Sequence, residues 1–140
     1  MAKDALGQHV TTCNAATIAA INVYTEDWIG YGPRLRTIID AADADPGCAF
    51  ANATAAALHM ALEATSGFSA SRPYVERALE QAPGASEREQ AFIAAVQTWS
   101  SGNIAQSMSI LRNLVRQYPD DIAAAKWAQY HAFNLGDAQS

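Results

Sequence analysis

Three prolines set the terms on which this chain folds. Pro83 lies 37 residues after Pro46, and Pro119 lies 36 residues after Pro83. Proline has no N–H and its ring clashes with the preceding turn, so each position ends one helix and suits the opening of the next. Apolar residues between them recur three and four apart with no β-branched alternation, which predicts helix throughout and no strand. A chain that reverses at so regular a step makes antiparallel helix pairs. A pair with one apolar face must stack on its neighbours to bury it.

The periodicity predicts about seven helices. The first runs from about Asn14 to Ile29, and the second from Pro33 to Ala44 with Leu35, Ile38, Ile39 and Ala42 inward. A third spans Pro46 to about Thr65, and a fourth about Ser71 to Ala82. The fifth opens at Ser86, where Ser86 and Glu89 match a capping box, and ends near Gly102. Ile104, Met108, Leu111, Val115 and Tyr118 form the stripe of the sixth, and the seventh runs from Asp120 or Asp121 to Leu135 before Gly136. The repeat step lies near the 34 residues of tetratricopeptide repeats. In the Pro83 unit Val75 and Ala78 stand eight and five residues before the proline, whereas the Pro119 unit has Leu111 and Leu114 there. The match is therefore to shape and spacing. The expected fold is all-α: a right-handed superhelix of antiparallel pairs over 14–140, a tetratricopeptide-like solenoid with a final unpaired helix, preceded by an extension over 1–13.

Charge and cysteine content narrow the partners. The 140 residues carry a formal charge of −5, and the nine basic residues are scattered rather than gathered into a tract, which argues against nucleic acid. No apolar run approaches the roughly 20 residues that span a bilayer, so no membrane partner is expected. The N-terminus lacks the apolar core of a secretory signal. A cytoplasmic protein follows from this reading, with Cys13 and Cys48 reduced and a disulfide as the lesser alternative.

Few residues suggest chemistry. His9 with Cys13, and Cys48 with His59, are spaced to share helix faces, but structural zinc sites use four ligands in tight pairs, so neither a metal nor any other cofactor is expected. His131 has no serine, cysteine or carboxylate tied to it by a recognised motif, and it reads as a packed histidine. Asp40, Asp43 and Asp45 close the second helix; Asp45 is expected to cap the next helix, and the others to be solvated. No phosphate loop, nucleophile elbow or carboxylate pair occurs. Tetratricopeptide arrays line their concave side with the first helix of each pair, which makes Met60, Glu63, Phe92, Trp99, Trp127 and Tyr130 the candidate groove residues.

Four stretches carry a resemblance to a known family. They are Val10-Thr11-Thr12-Cys13-Asn14, Ala42-Asp43-Ala44-Asp45-Pro46-Gly47-Cys48-Ala49-Phe50, Ser86-Glu87-Arg88-Glu89 leading to Trp99-Ser100-Ser101-Gly102-Asn103, and Tyr118-Pro119-Asp120-Asp121 running on to His131-Ala132-Phe133-Asn134-Leu135-Gly136-Asp137. Together they resemble the N-terminal portion of the tetratricopeptide repeat protein 38 family. The resemblance implies an interaction scaffold without an established reaction, cut short where the family would begin another helix. An uncovered seventh helix would then invite homo-oligomers. The function expected is a non-enzymatic scaffold that binds a protein or peptide. The alternatives are an accessory subunit or helical domain of an enzyme, and small-molecule binding between repeats.

Overall fold

Asn14, Ser86, Asn103 and Asp121 each turn a side-chain oxygen onto the backbone N–H three residues later, and each starts a helix. The computed structural model describes residues 2–4, 6–11, 13–63 and 66–136. Among them are seven α-helices: α1 (Ala15–Gly30), α2 (Thr37–Ala44), α3 (Ala49–Leu62), α4 (Gly67–Gln81), α5 (Glu87–Ser100), α6 (Ile104–Gln117) and α7 (Ile122–Asn134). Pro46 and Pro119 lie in linkers between α-helices, and Pro83 lies in the short 3-10 turn (Ala82–Gly84) that joins α4 to α5. Short linkers join α1 to α2, α3 to α4 and α5 to α6, and the two helices of each pair pack on one another. Ser86 accepts from the Glu89 N–H while the Glu89 carboxylate accepts from the Ser86 N–H, which completes the expected capping box.

α3 is the hub. Every residue from Ala49 to Met60 is buried, because α2, α4 and α5 all pack against it. Seven alanines let those neighbours approach from several sides, since no large side chain holds them off. On α4, Gly67 faces the same helix so closely that an added Cβ would overlap the His59 carbonyl. That contact explains why α4 begins four residues before the expected Ser71. Pro73 therefore lies inside the helix, where its missing N–H leaves the Ser69 carbonyl without its usual donor. On α6 the stripe is centred as expected: Leu111 and Met108 are buried, with Ser107 and Leu114 beside them.

Four other expectations change. α2 starts at Thr37 rather than Pro33, because Asp27 holds the backbone and guanidinium of Arg34 in the preceding turn. α3 starts at Ala49 rather than Pro46, with Cys48 as its N-cap residue, and ends at Leu62; Thr65 lies outside the described residues. Asp45 does not cap α3 but reaches back to α1, accepting from the Asn14 N–H and the Thr17 hydroxyl. Two extended dipeptides, β1 (Ala2–Lys3) and β2 (His9–Val10), pair antiparallel where no strand was expected. The Asp4 carboxylate accepts from the Leu6 and Gln8 N–H groups and closes this hairpin. Val10 continues into the core, and the Thr11 N–H donates to Glu89, so the N-terminal stretch is tied to α5.

Cys13 and Cys48 form a disulfide instead of staying reduced, with their Cα atoms 4.9 Å apart. The bridge pins the lead-in of α1 to the N-cap of α3, across a sequence separation of 35. These sulfurs and the Asp45 carboxylate are the only group of three metal-ligand atoms close together among the described residues. The bridge uses both sulfurs, and Asp45 is held by Asn14 and Thr17, so the group is not a donor set in this state. Cys48 is therefore not paired with His59, which stacks on Tyr74 instead, and the His9 side chain lies outside the described residues.

Closing a loop of this length removes entropy from the unfolded chain, so reduction should cost about 2–4 kcal/mol of folding stability. Urea unfolding with and without reductant checks it, and coincident curves would show that the bridge contributes nothing. Gly67→Ala should cost about 1–3 kcal/mol through overlap with the α3 backbone, read as a lower midpoint with an unchanged m-value.

Candidate binding cleft

The first and last helices touch. Trp28 of α1 stacks on Trp127 of α7 at a centroid distance of 4.0 Å, and its Nε1 donates to the Ala123 carbonyl at 3.3 Å. The Trp127 Nε1 donates in turn to the Tyr24 hydroxyl at 2.7 Å, which satisfies both polar tips inside an apolar contact. Burial pushes the Tyr24 phenol well above its ordinary pKa, so it stays neutral. Around Ala123 and Trp127 α7 is thus covered by α1, while Phe133 of the same helix stays exposed. Trp99 and Tyr130 join the cluster, each with its ring within 6 Å of Trp127.

Beside this contact lies a cleft of about 530 Å³. Trp28, Leu35 and Tyr130 supply its apolar walls, Tyr31 and Phe133 its aromatic rim, and Asp27, Lys126 and Gln129 its polar groups. Tyr31 is 87 % exposed and Phe133 74 %, a large apolar area to leave in water. Tyr31 also adopts the left-handed conformation, φ 59° and ψ 34°, at the C-cap of α1. Glycine is the usual residue there, since a β-carbon makes the conformation costly. Its ring lies under the Lys126 ammonium, which is 3.4 Å from the centroid and also donates to the Ile29 carbonyl at the end of α1. Asp27 is held below the usual carboxylate range, chiefly by its side-chain hydrogen bonds from Arg34. Gly32 is required beside it, because a Cβ would overlap that carboxylate.

The sequence-derived groove residues divide between core and surface. Met60, Phe92, Trp99 and Trp127 are buried in the core, and Trp127 forms the layer behind the cleft. Glu63 closes α3 in an ion pair with Arg36 at 2.9 Å, which lowers its pKa, and the His59 ring stands beside it. Only Tyr130 of the six lines the cleft. Trp28, Tyr31, Leu35, Lys126, Gln129 and Phe133 were not singled out for it. One signal was available: Gly30-Tyr31-Gly32-Pro33 places a large aromatic at a helix stop, between glycines.

A second arrangement resembles catalytic chemistry and is not. Ser107 Oγ lies 3.1 Å from His131 Nε2, both groups buried. The serine hydrogen, however, goes to the Ala95 carbonyl at 2.7 Å, so the contact requires His131 to donate from Nε2. A base that activates serine must accept at that nitrogen. His131 is thus the packed histidine expected, edge-on to Trp99 at 4.5 Å, and burial lowers its pKa to about 4. No family model, curated protein or solved structure matches the chain.

His131 makes stability depend on pH. Its folded pKa is about 4 against 6.5 for a free histidine, so between those values the unfolded chain binds a proton that the folded chain refuses. Stability should be full above pH 6.5 and fall as pH drops towards 4, by up to about 3 kcal/mol. Urea midpoints across this range, compared with His131→Gln, test it; an equal slope in the variant would assign the effect to other groups.

Proposed function

We propose that the chain is a non-enzymatic helical scaffold that binds a protein or peptide in the cleft between α1 and α7. The observation that carries this reading is Tyr31: a bulky aromatic held in a conformation suited to glycine, with its ring exposed at the mouth of an aromatic cleft. Unfavourable backbone geometry that persists at such a place marks a site where the side chain serves something other than folding. The scaffold is proposed as tetratricopeptide-like, supported by the proline step and the order of hairpins, and turned tightly enough for its two ends to meet. The likeness to the tetratricopeptide repeat protein 38 family belongs to the same proposal.

The cleft volume also falls in the range of small-molecule pockets, which supports that as a second reading. Tyr31 and Phe133 stand largely exposed at the rim, so a chain that runs from the cleft over both rings fits better. No helix among the described residues is long and apolar enough to cross a membrane. A cytoplasmic location, the sequence-based expectation, is kept with a condition: cellular thiols would have to open the Cys13–Cys48 bridge.

Tyr31→Gly separates binding from folding. Relief of the left-handed strain is offset by the lost cation–π contact and the freer unfolded chain, each about 0.5–1 kcal/mol, so stability should stay within about 1 kcal/mol of the parent. Peptides selected from a random displayed library against the parent protein should bind Tyr31→Gly/Phe133→Ser at least about tenfold more weakly. Selected peptides that bind both equally, or a selection that yields none, would refute the reading.

A further inference from the structure

We propose that the cleft takes the C-terminal residue of a peptide partner, with an apolar side chain against Trp28 and Tyr130 and the terminal carboxylate on Lys126. This rests on the peptide-binding reading above and names the chemistry that the site recognises.

Lys126 carries the argument. An ammonium has three N–H groups, and one donates to the Ile29 carbonyl at 3.2 Å. No carboxylate of the described residues forms an ion pair with it. The carboxylate that shares the cleft is already engaged: Asp27 accepts three hydrogen bonds from Arg34. A half-buried cation with donors to spare, facing an apolar wall, complements an anionic group attached to an apolar one.

The same cation decides against the opposite ligand. Aromatic walls bind ammonium groups through the negative faces of their rings. Lys126 already occupies those faces, 3.4 Å from the centre of Tyr31 and 5.4 Å from that of Trp28, so a second cation would meet like charge. These short distances also require the carboxylate and the apolar group to be close together in the ligand. A C-terminal residue carries both on one α-carbon. The preceding residues would leave the cleft over Phe133 and Tyr31, the two exposed rings at its mouth.

The test titrates the full chain with N-acetyl-trialanyl-phenylalanine, as the free acid and as the C-terminal amide, followed by calorimetry. The acid should bind about tenfold or more tightly than the amide, as expected for one charge-assisted hydrogen-bond pair in a partly exposed site. Added salt should shrink that preference, Lys126→Met should abolish it, and Lys126→Arg should retain it. N-acetylphenylalanine alone should bind more weakly than the tetrapeptide, and Phe133→Ser should remove the difference. Equal binding of acid and amide by the parent protein would overturn the inference while leaving the peptide-binding reading intact. Equal binding of the single amino acid and the tetrapeptide would overturn it in favour of a small aromatic acid. A dimer in sedimentation that Phe133→Ser dissociates would overturn it in favour of a second copy of this chain. Failure of both this titration and the display selection would remove both readings.

Discussion

A helix that is buried all round can have only small residues wherever its neighbours approach closely. α3 meets that condition with a run of alanines, and α2, α4 and α5 take their places from it. Where α3 carries something larger, a neighbour supplies a matching feature: Phe50 packs against Phe92, and the Arg88 guanidinium lies over the Phe50 ring at 5.3 Å. Arg88 in turn holds the Asp121 carboxylate at 2.9 Å, both buried, while Asp121 caps α7. Charge in so dry a place is tolerable only because each partner answers the other, and truncating either one leaves an unpaired buried ion. The position of α7 is therefore linked back to α3 through Arg88 and Phe50.

That placement brings α7 round to α1. In an open solenoid each repeat touches only its neighbours. Here Trp28, Trp127, Trp99 and Tyr130 join the first helix, the last helix and α5 in one aromatic cluster. The contact removes an apolar face that would otherwise stand in water, and it creates the cleft along its edge. The disulfide acts at the other end of α1, where Cys13, Asn14 and Thr17 are fastened to the linker before α3. Both ends of α1 are thus held by residues distant in sequence.

This division explains what could be read from the sequence alone. Pro46, Pro83 and Pro119 mark linkers because the cost of proline in a helix is local, and Ser86 with Glu89 marks a helix start for the same reason. The α6 stripe needs only its own spacing. By contrast, Cys13 meets Cys48, and Asp45 reaches the start of α1, only because the chain returns there, which no spacing encodes. The start of α4 at Gly67 was not legible, because the close fit of Gly67 on α3 is a contact between helices that local spacing does not encode. Tyr130, on a helix expected to line a groove, lines the cleft, whereas Trp28, Lys126 and Phe133 come beside it only where α1 and α7 meet.

Tyr31 shows how the closure and the site depend on each other. A helix end leaves its last carbonyls without partners inside the helix, and Lys126 from α7 donates to one of them at Ile29. With glycine at that position the same hydrogen bond would form, and the helix would end at less cost. What the tyrosine adds is a ring under the ammonium, held at the mouth of the cleft by a backbone that cannot relax without losing the turn through Gly32 to Asp27. Asp27 fixes that turn from below by gripping Arg34, and Gly32 leaves room for its carboxylate. The left-handed Tyr31, Gly32 and the grip of Asp27 on Arg34 thus position one exposed aromatic against one cation, and the helix could end there without a tyrosine.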